Sequence, residues 1–342
     1  MKRLLNTLFV NTDGAYLNLE GETVVVSVEQ ERKLALPLHT LEGIVCAGRV
    51  MASPFLLGAA ADRNIAVSFL TRNGRFLARV TGPVHGNVLL RRAQHRASDS
   101  EEHAVPIARA FLTGKLANSR GVLLRAAREN NPANPDSLRH AAKQLAFLIP
   151  KLEGAASLES LRAIEGEAAR IYFDRFDHFI SADKEHFTFK GRSRRPPLDN
   201  VNALLSFTYS LLAHDAASAL ETAGLDPAIG FLHQDRPGRP SLALDLLEEL
   251  RAPLGDRFVL SLINRRVLSA KDFQTAETGA VRMTDNARRD YFSAWQTRKQ
   301  ETIAHPFLGE TIAVGQIFAA QALLLARHLR GDLDAYPPFL WK

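Results

Sequence analysis

The sequence predicts an α+β fold: a small β-rich N-terminal domain, residues 1–87, followed by a larger all-α domain, residues 88–342. Three observations predict it. The first part of the chain consists of short β-branched or alternating runs punctuated by turn residues. From Val88 the apolar residues recur at helical spacing instead, almost unbroken to about Leu329. Clusters of Gly, Pro and Asn fall between those helical stretches, where breakers belong.

The elements follow in order. "GAYLNLEGETVVVSV" holds two strand-like runs around "EGE", a hairpin signal. "KLALPL" alternates, and "GIVCAG" is short and apolar like a buried strand. "SPFLLGAAADRN" reads as a helix with Ser53 as N-cap and Pro54 at its first position. "IAVSFL" and "RFLARV", joined across "TRNG", form a second hairpin. Beyond the boundary, "AVPIARAFLTGKLANSRGVLLRAAREN" is helical, and "NNPANPD" and "KGRSRRPP" are loops. "LDNVNALLSFTYSLLAHDAASALETAG" is a long apolar helix or helix pair, and "RPGRP" breaks the chain before a helix with Ser241 as N-cap. The tail "AYPPFLWK" is irregular and suited to docking.

Composition narrows the function classes. With 342 residues, 46% hydrophobic and 23% charged, the chain can bury a core and is no disordered polyelectrolyte. A net charge of +6 and a pI near 9.6 favour an anionic partner. The single cysteine, Cys46, excludes an intramolecular disulfide and a cysteine zinc site, and suits a reducing cytoplasm. "MKRLLNTLFVNTDG" is too polar for a signal peptide, and no run approaches the ~18 apolar residues of a membrane span. No membrane partner is expected.

Three stretches carry candidate chemistry. In "GFLHQDRPGRPSLALDLLEELR", Ala243, Leu246, Leu247 and Leu250 form a buried stripe, and Asp245, Glu248 and Glu249 lie off it. Asp245 and Glu248 stand at i, i+3, so their carboxylates can converge, and the Gly/Pro/Arg turn is long enough to fold His233 back over the helix. Metal binding, acid–base chemistry and ordinary solvation of an acidic face all remain open. In "AIEGEAARIYFDRF", Glu165 shares a helix face with Ala168, Ala169 and Tyr172. A carboxylate there is partly desolvated unless a cation meets it, either an arginine or a bound metal. In "FKGRSRRPPLDNVNALLSFTYSLL", Lys190, Arg192, Arg194 and Arg195 crowd a loop beside Phe187 and Phe189, a pattern suited to a phosphate backbone or to plain solvation. On the helix that follows, Asn202 and Tyr209 share one face and need polar partners. A further basic segment runs from Arg72 through Arg79 to Arg91, Arg92 and Arg96. Oxygen ligands with one imidazole suit Mg²⁺ or Mn²⁺ better than structural zinc.

The blocks "IEGEAARIYF", "GRSRRPPLDNVNALLSFTYSLL" and "GFLHQDRPGRPSLALDLLEELR", in this order, resemble the CRISPR-associated integrase and endonuclease family of the spacer-acquisition complex, numbered one among the Cas proteins. The form is similar to that of type I systems, subtype C. The resemblance implies a divalent metal, Mg²⁺ or Mn²⁺, held by Glu165, His233 and Glu248, with Asp245 in support and Glu249 a solvent-facing bystander. Relatives often carry aspartate where Glu248 stands. Asn202, Tyr209 and Arg195 match the central block as secondary positions, and Arg192, Arg194, Arg236 and Arg239 join Arg195 as candidates for DNA contact. The implied reaction is phosphoryl transfer: a 3′-hydroxyl of a captured duplex attacks a phosphodiester at the edge of a repeat. The implied partners are double-stranded DNA, a second copy of the chain met through the β domain, a dimer of a small ferredoxin-like Cas protein and a trimming nuclease. Two rivals stand beside this reading: an unrelated metal-dependent nuclease that hydrolyses DNA, and a non-enzymatic DNA-binding scaffold whose acids are structural.

Overall fold

The computed structural model describes residues 7–41, 43–63, 65–71, 76–80, 82, 88–128 and 134–341. The start of the chain, most of the "TRNG" turn with Arg72, and most of "NNPANPD" lie outside the described residues.

Two four-stranded sheets share one apolar core in the N-terminal part. The first has the order β1 (Thr7–Val10), β5 (Gly43–Ala47), β7 (Ala66–Leu70) and β8 (Phe76–Val80). Its first three strands are parallel, and β8 closes it as an antiparallel edge. In the second, β4 (Glu31–Pro37), β3 (Thr23–Val28) and β2 (Tyr16–Glu20) run antiparallel, and β6 (Met51–Ala52) pairs parallel with β2. Side chains alternate along a strand, so Leu17, Val24 and Val26 face Leu8, Val10, Ile44 and Val67 across the core. The apolar run of β5 reflects its central, parallel position. Cys46 belongs to this core, and burial pushes its thiol up to about 12, so it is inert at neutral pH. Helix α1 (Pro54–Asp62) starts as predicted, with the Leu56 N–H donating to the Ser53 hydroxyl and Pro54 in the first turn.

The rest of the chain packs around α3 (Glu101–Ala126), which follows α2 (Val88–Ser98). Against α3 lie α4 (Pro135–Glu153), α5 (Leu158–Phe173) and α7 (Ser241–Leu250); α6 (Asn200–Thr222) packs on α7. The long apolar segment is one helix, capped by the Asp199 carboxylate, which accepts from Asn202 N–H. Two expectations need correction. First, the C-terminal part is mainly helical, not all-α. The ribbon of β9 (Phe273–Thr275) and β10 (Val281–Met283) precedes α9 (Asp285–Gln300), and that of β11 (Thr302–Ala304) and β12 (Thr311–Ala313) precedes α10 (Ile317–Leu329). Three-residue strands are too short to imprint a period of two. Second, Ser241 is the first residue of α7 and not its cap; its hydroxyl donates to the Gln234 carbonyl at 3.1 Å. Beyond Leu250, α7 runs into a π-helical stretch, Arg251–Asp256, before α8 (Arg257–Asn264). Pro253 within it has no N–H to give the α-helical ladder.

The two parts meet through a stack of Phe9 on Phe292, ring centroids 4.4 Å apart, and through Arg79, which pairs with Glu221 on α6. Arg79 of the basic segment is therefore spent on an internal ion pair. Among the described residues no helix is long and apolar enough to cross a membrane.

Candidate active site

Glu165 stands in the middle of α5. The helix begins with Ser157 and Ser160 in a reciprocal capping box, and it buries Leu161, Ala168, Ile171 and Tyr172. That leaves Glu165 on the side where α5 meets α3. The cation that such a carboxylate requires is Lys115 of α3, a lysine only 8% exposed. Its ammonium pairs with Glu165 Oε1 and lies 2.7 Å from Glu248 Oε2. Two carboxylates from distant parts of the chain thus converge on one cationic point. Arg251 Nη2 takes the other Glu248 oxygen at 2.7 Å. Burial alone would raise the Glu248 carboxyl; Arg251 and Lys115 outweigh it and hold the group at about 2. Glu248 is ionised at any physiological pH.

The His233 loop is built on Asp245. This fully buried carboxylate accepts from Phe231 N–H at 2.7 Å and Leu232 N–H at 3.0 Å on one oxygen. On the other it accepts from His233 N–H at 2.9 Å and lies 2.6 Å from His233 Nδ1. A carboxylate already accepting three N–H groups is the acceptor for the ring as well, so Nδ1 carries the proton and Nε2 presents its lone pair. Gly230 allows the approach: a Cβ there would sit 2.9 Å from Asp245 Oδ2 and 2.8 Å from Ser241 Cβ. Arg162, one turn before Glu165, donates to the Leu232 carbonyl at 2.8 Å and ties the loop to α5.

A cavity of about 20 Å³, room for one water, lies against this group, walled by Lys115, Ala168, Ala169, Tyr172, Glu248, Arg251 and Asp256. Asp256 accepts from Tyr172 OH at 3.0 Å and from Tyr209 OH. Burial raises the Asp256 carboxyl to about 6 against the pull of both hydroxyls, Arg251 and Arg192. Arg251 and Arg192 lie over the Tyr209 ring at 5.0 and 5.3 Å.

The residues suit a hard divalent ion by donor chemistry. Glu165 and Glu248 share a cation, and Glu248 Oε2 meets Lys115 as an ion pair without a directed hydrogen bond. His233 adds an imidazole nitrogen. As the side chains stand, no three His, Cys, Asp or Glu groups among the described residues are close enough together to hold a metal, because Lys115 sits between the carboxylates.

The sequence profile described as CRISPR associated protein Cas1 matches residues 8–297. The chain belongs to the Cas1 family. It is 56% identical, over 343 residues and the whole of both chains, to CRISPR-associated endonuclease Cas1 1 of Chlorobaculum tepidum. Among solved structures it is similar to a Cas1 protein from Thermotoga maritima, with TM-score 0.82 and 25% identity over 95% of this chain and 97% of that one. It also matches a chain of a Cas6-RT-Cas1–Cas2 complex, with TM-score 0.81 and 26% identity, covering 98% of this chain and 36% of that longer one. This Cas1-family chain is accordingly an endonuclease homologue along its full length.

Other expected site residues fall at different distances from that centre. Tyr209 reaches it through Asp256. Asn202 lies at the start of α6, fully buried, accepting from Arg192 and Ser193 N–H and donating to Gly191 O and Asp199; it knots the basic loop to the helix. Arg194, Arg195 and Arg236 are exposed and Arg239 is half-buried, whereas Arg192 is engaged by Asn202, Ser206 and Tyr209. Phe187 and Phe189 are buried, Phe189 against Phe173 and Phe176, so neither offers a ring to a base.

Two corrections concern α7. Its acidic face is not solvated, since Asp245, Glu248 and Glu249 are all buried. Glu249 is no bystander either: Tyr336 OH, Phe339 N–H and Gln321 Nε2 all donate to it. The sequence reading missed Lys115, Arg251 and Asp256. The one signal was a lone lysine inside the apolar run "AFLTGKLAN".

Proposed function

We propose that this Cas1-family chain is a metal-dependent DNA integrase and endonuclease that inserts captured duplex fragments into a CRISPR array. A 3′-hydroxyl of the fragment attacks a phosphodiester at the repeat edge. The observation that carries this reading is the convergence of Glu165 and Glu248 on one cationic point, beside a histidine oriented by Asp245. Glu165, His233 and Glu248 are the catalytic set and would hold Mg²⁺ or Mn²⁺. A divalent ion bound there neutralises charge that develops on the phosphoryl group.

The chain's own residues account for the rest. Arg251 keeps Glu248 ionised and, from the cavity wall, offers a guanidinium to a phosphate oxygen. Asp245 keeps His233 Nε2 available as a ligand or a proton acceptor. Asp256 fixes Tyr209 and Tyr172 at the wall, and Asn202 holds the basic loop in place. Arg194, Arg195, Arg236 and Arg239 track the DNA backbone, with Arg192 bracing the loop behind them. With water as nucleophile the same site cuts DNA, in keeping with the endonuclease name of the relative from Chlorobaculum tepidum.

The chain pairs with a second copy through residues 1–87 and assembles with a dimer of a small ferredoxin-like Cas protein; the related chain in the Cas6-RT-Cas1–Cas2 complex supports a Cas2-type partner. A nuclease trims the fragments beforehand. The resemblance of the three sequence blocks to the form of type I systems, subtype C, supports a role there, and the lone buried cysteine fits work in the cytoplasm.

The test supplies a duplex with free 3′-hydroxyls, a supercoiled plasmid bearing a repeat, the Cas2-type partner and Mn²⁺ or Mg²⁺. Joined products are expected, and Glu165→Ala or His233→Ala abolishes them while leaving DNA binding intact. Nicks without joining would leave only a nuclease, and wild-type joining by both variants would remove the assigned catalytic set.

A further inference from the structure

We propose that the C-terminal segment Tyr336–Trp341 is a strap that sets the position of the catalytic carboxylate Glu248, with Glu249 as its positioning residue. The proposal rests on the reading of Glu248 as an active-site group. Neighbours on a helix point about 100° apart. Glu248 therefore faces Lys115 and Arg251, and Glu249 faces the tail. The Glu249 carboxyl group accepts from Tyr336 OH at 2.6 Å, Phe339 N–H at 2.7 Å and Gln321 Nε2 at 3.0 Å, with no exposure to solvent.

A second side chain closes the same joint. Asn118 of α3 donates through Nδ2 to the Glu249 carbonyl and the Phe339 carbonyl, each at 2.7 Å. Its Oδ1 accepts from Trp341 N–H at 2.7 Å. One buried amide thus ties α3, α7 and the tail together. One turn earlier on α3, a Cβ on Gly114 would lie 2.9 Å from Glu249 Cγ and 3.2 Å from Pro338 Cβ, so the three segments meet without a gap. Lys115, the cation shared by Glu165 and Glu248, follows Gly114 directly. The register of α3 on α7 that the tail locks is the register that places Lys115 between the carboxylates.

Without the tail, Glu249 keeps only Gln321 of its three donors. A buried carboxyl group short of partners must find water. α7 then turns or shifts to hydrate it, and Glu248 moves with the helix. A displacement of about 1 Å at a reacting group costs on the order of 100-fold in rate.

The experiment compares four full-length or near full-length chains: wild type, a chain ending at Ala335, Glu249→Leu, and Leu340→Ala as a control on an exposed tail residue. Glu249→Leu keeps most of the bulk but removes both acceptor oxygens from the three converging donors. Cleavage of a branched DNA duplex is followed with Mn²⁺, and amide hydrogen exchange is followed without DNA or metal.

The truncated chain and Glu249→Leu are expected to lose about 100-fold in kcat, with KM for DNA within about threefold. A synthetic peptide of residues 334–342 should restore the truncated chain. Amides of α7 should exchange faster in both variants while those of α6 stay protected, and Leu340→Ala should match wild type. If Glu249→Leu turns over within about twofold of wild type, or if the loss lies only in KM, the strap is wrong. A truncated chain that fails to fold leaves the decision to Glu249→Leu. If the wild-type chain itself cuts no DNA, the nuclease reading fails and hydrogen exchange decides the strap alone: unchanged α7 protection overturns it.

Discussion

Replacing Asp245 by asparagine tests how the His233 loop is built. Asp245 is fully buried, and its two oxygens serve four donors: Phe231, Leu232 and His233 N–H, and the His233 ring. Asparagine keeps one acceptor oxygen and puts an N–H₂ group at the other position. In one orientation the Phe231 and Leu232 N–H groups lose their acceptor. In the other, His233 N–H loses it and the amide donates to Nδ1, forcing the ring proton onto Nε2. Each buried donor left without a partner costs about 1–3 kcal/mol, so the first orientation costs about 2–6 kcal/mol. The second costs less in stability but removes the Nε2 lone pair.

Urea unfolding should therefore show a loss of about 2–6 kcal/mol, or DNA cleavage should fall by two or more orders of magnitude at near-wild-type stability. With a typical reserve of about 5–15 kcal/mol, the variant should still fold. Stability within about 0.5 kcal/mol of wild type, together with activity within about threefold, would refute both the hydrogen-bond accounting and the role of Asp245 in holding the histidine.

The remaining predictions are narrower. Glu248 has its folded pKa depressed to about 2 from 4.5, so its contribution is present above about pH 4.5 and lost as pH falls toward 2. Metal-free wild type should shed on the order of 3 kcal/mol across that window relative to Glu248→Gln, and parallel pH–stability curves would contradict the ion-pair account. The Cys46 thiol, raised to about 12 by burial, should resist a thiol-specific disulfide reagent in the folded chain and react at once in denaturant; prompt labelling of the native protein would place it outside the core. Arg194→Ala combined with Arg195→Ala should weaken duplex binding and cut the slope of log K against log salt by about 2, whereas an unchanged slope would mean that the loop touches no phosphate.

Several parts of this fold are legible in one dimension for a definite reason. The β2–β3 hairpin and α1 depend on local rules, alternation in one case and a serine cap followed by proline in the other, and both stand where those rules put them. The ribbons β9–β10 and β11–β12 do not, since three residues per strand carry no period. The site divides in the same way. An acid on the alanine face of α5 demands a cation, and that demand is local. The cation's identity is not, because Lys115 arrives from α3, fifty residues upstream. Glu249 shows the opposite failure. Helical periodicity sends it toward solvent, and only a tail 87 residues further on covers that side of α7.

Taken alone, the amino-acid order determined the α+β class, the three blocks that mark the family, and the carboxylate and imidazole groups of Glu165, His233 and Glu248. Those features rest on backbone periodicity, turn chemistry and side-chain identity, all properties of short segments. The tertiary structure alone decided that Lys115 and Arg251 neutralise Glu248, that Asp245 holds the histidine loop, and that Glu249 faces the tail. Charge and solvation at a buried carboxyl group depend on whatever atoms surround it, and here those atoms come from helices and a tail far apart in the chain.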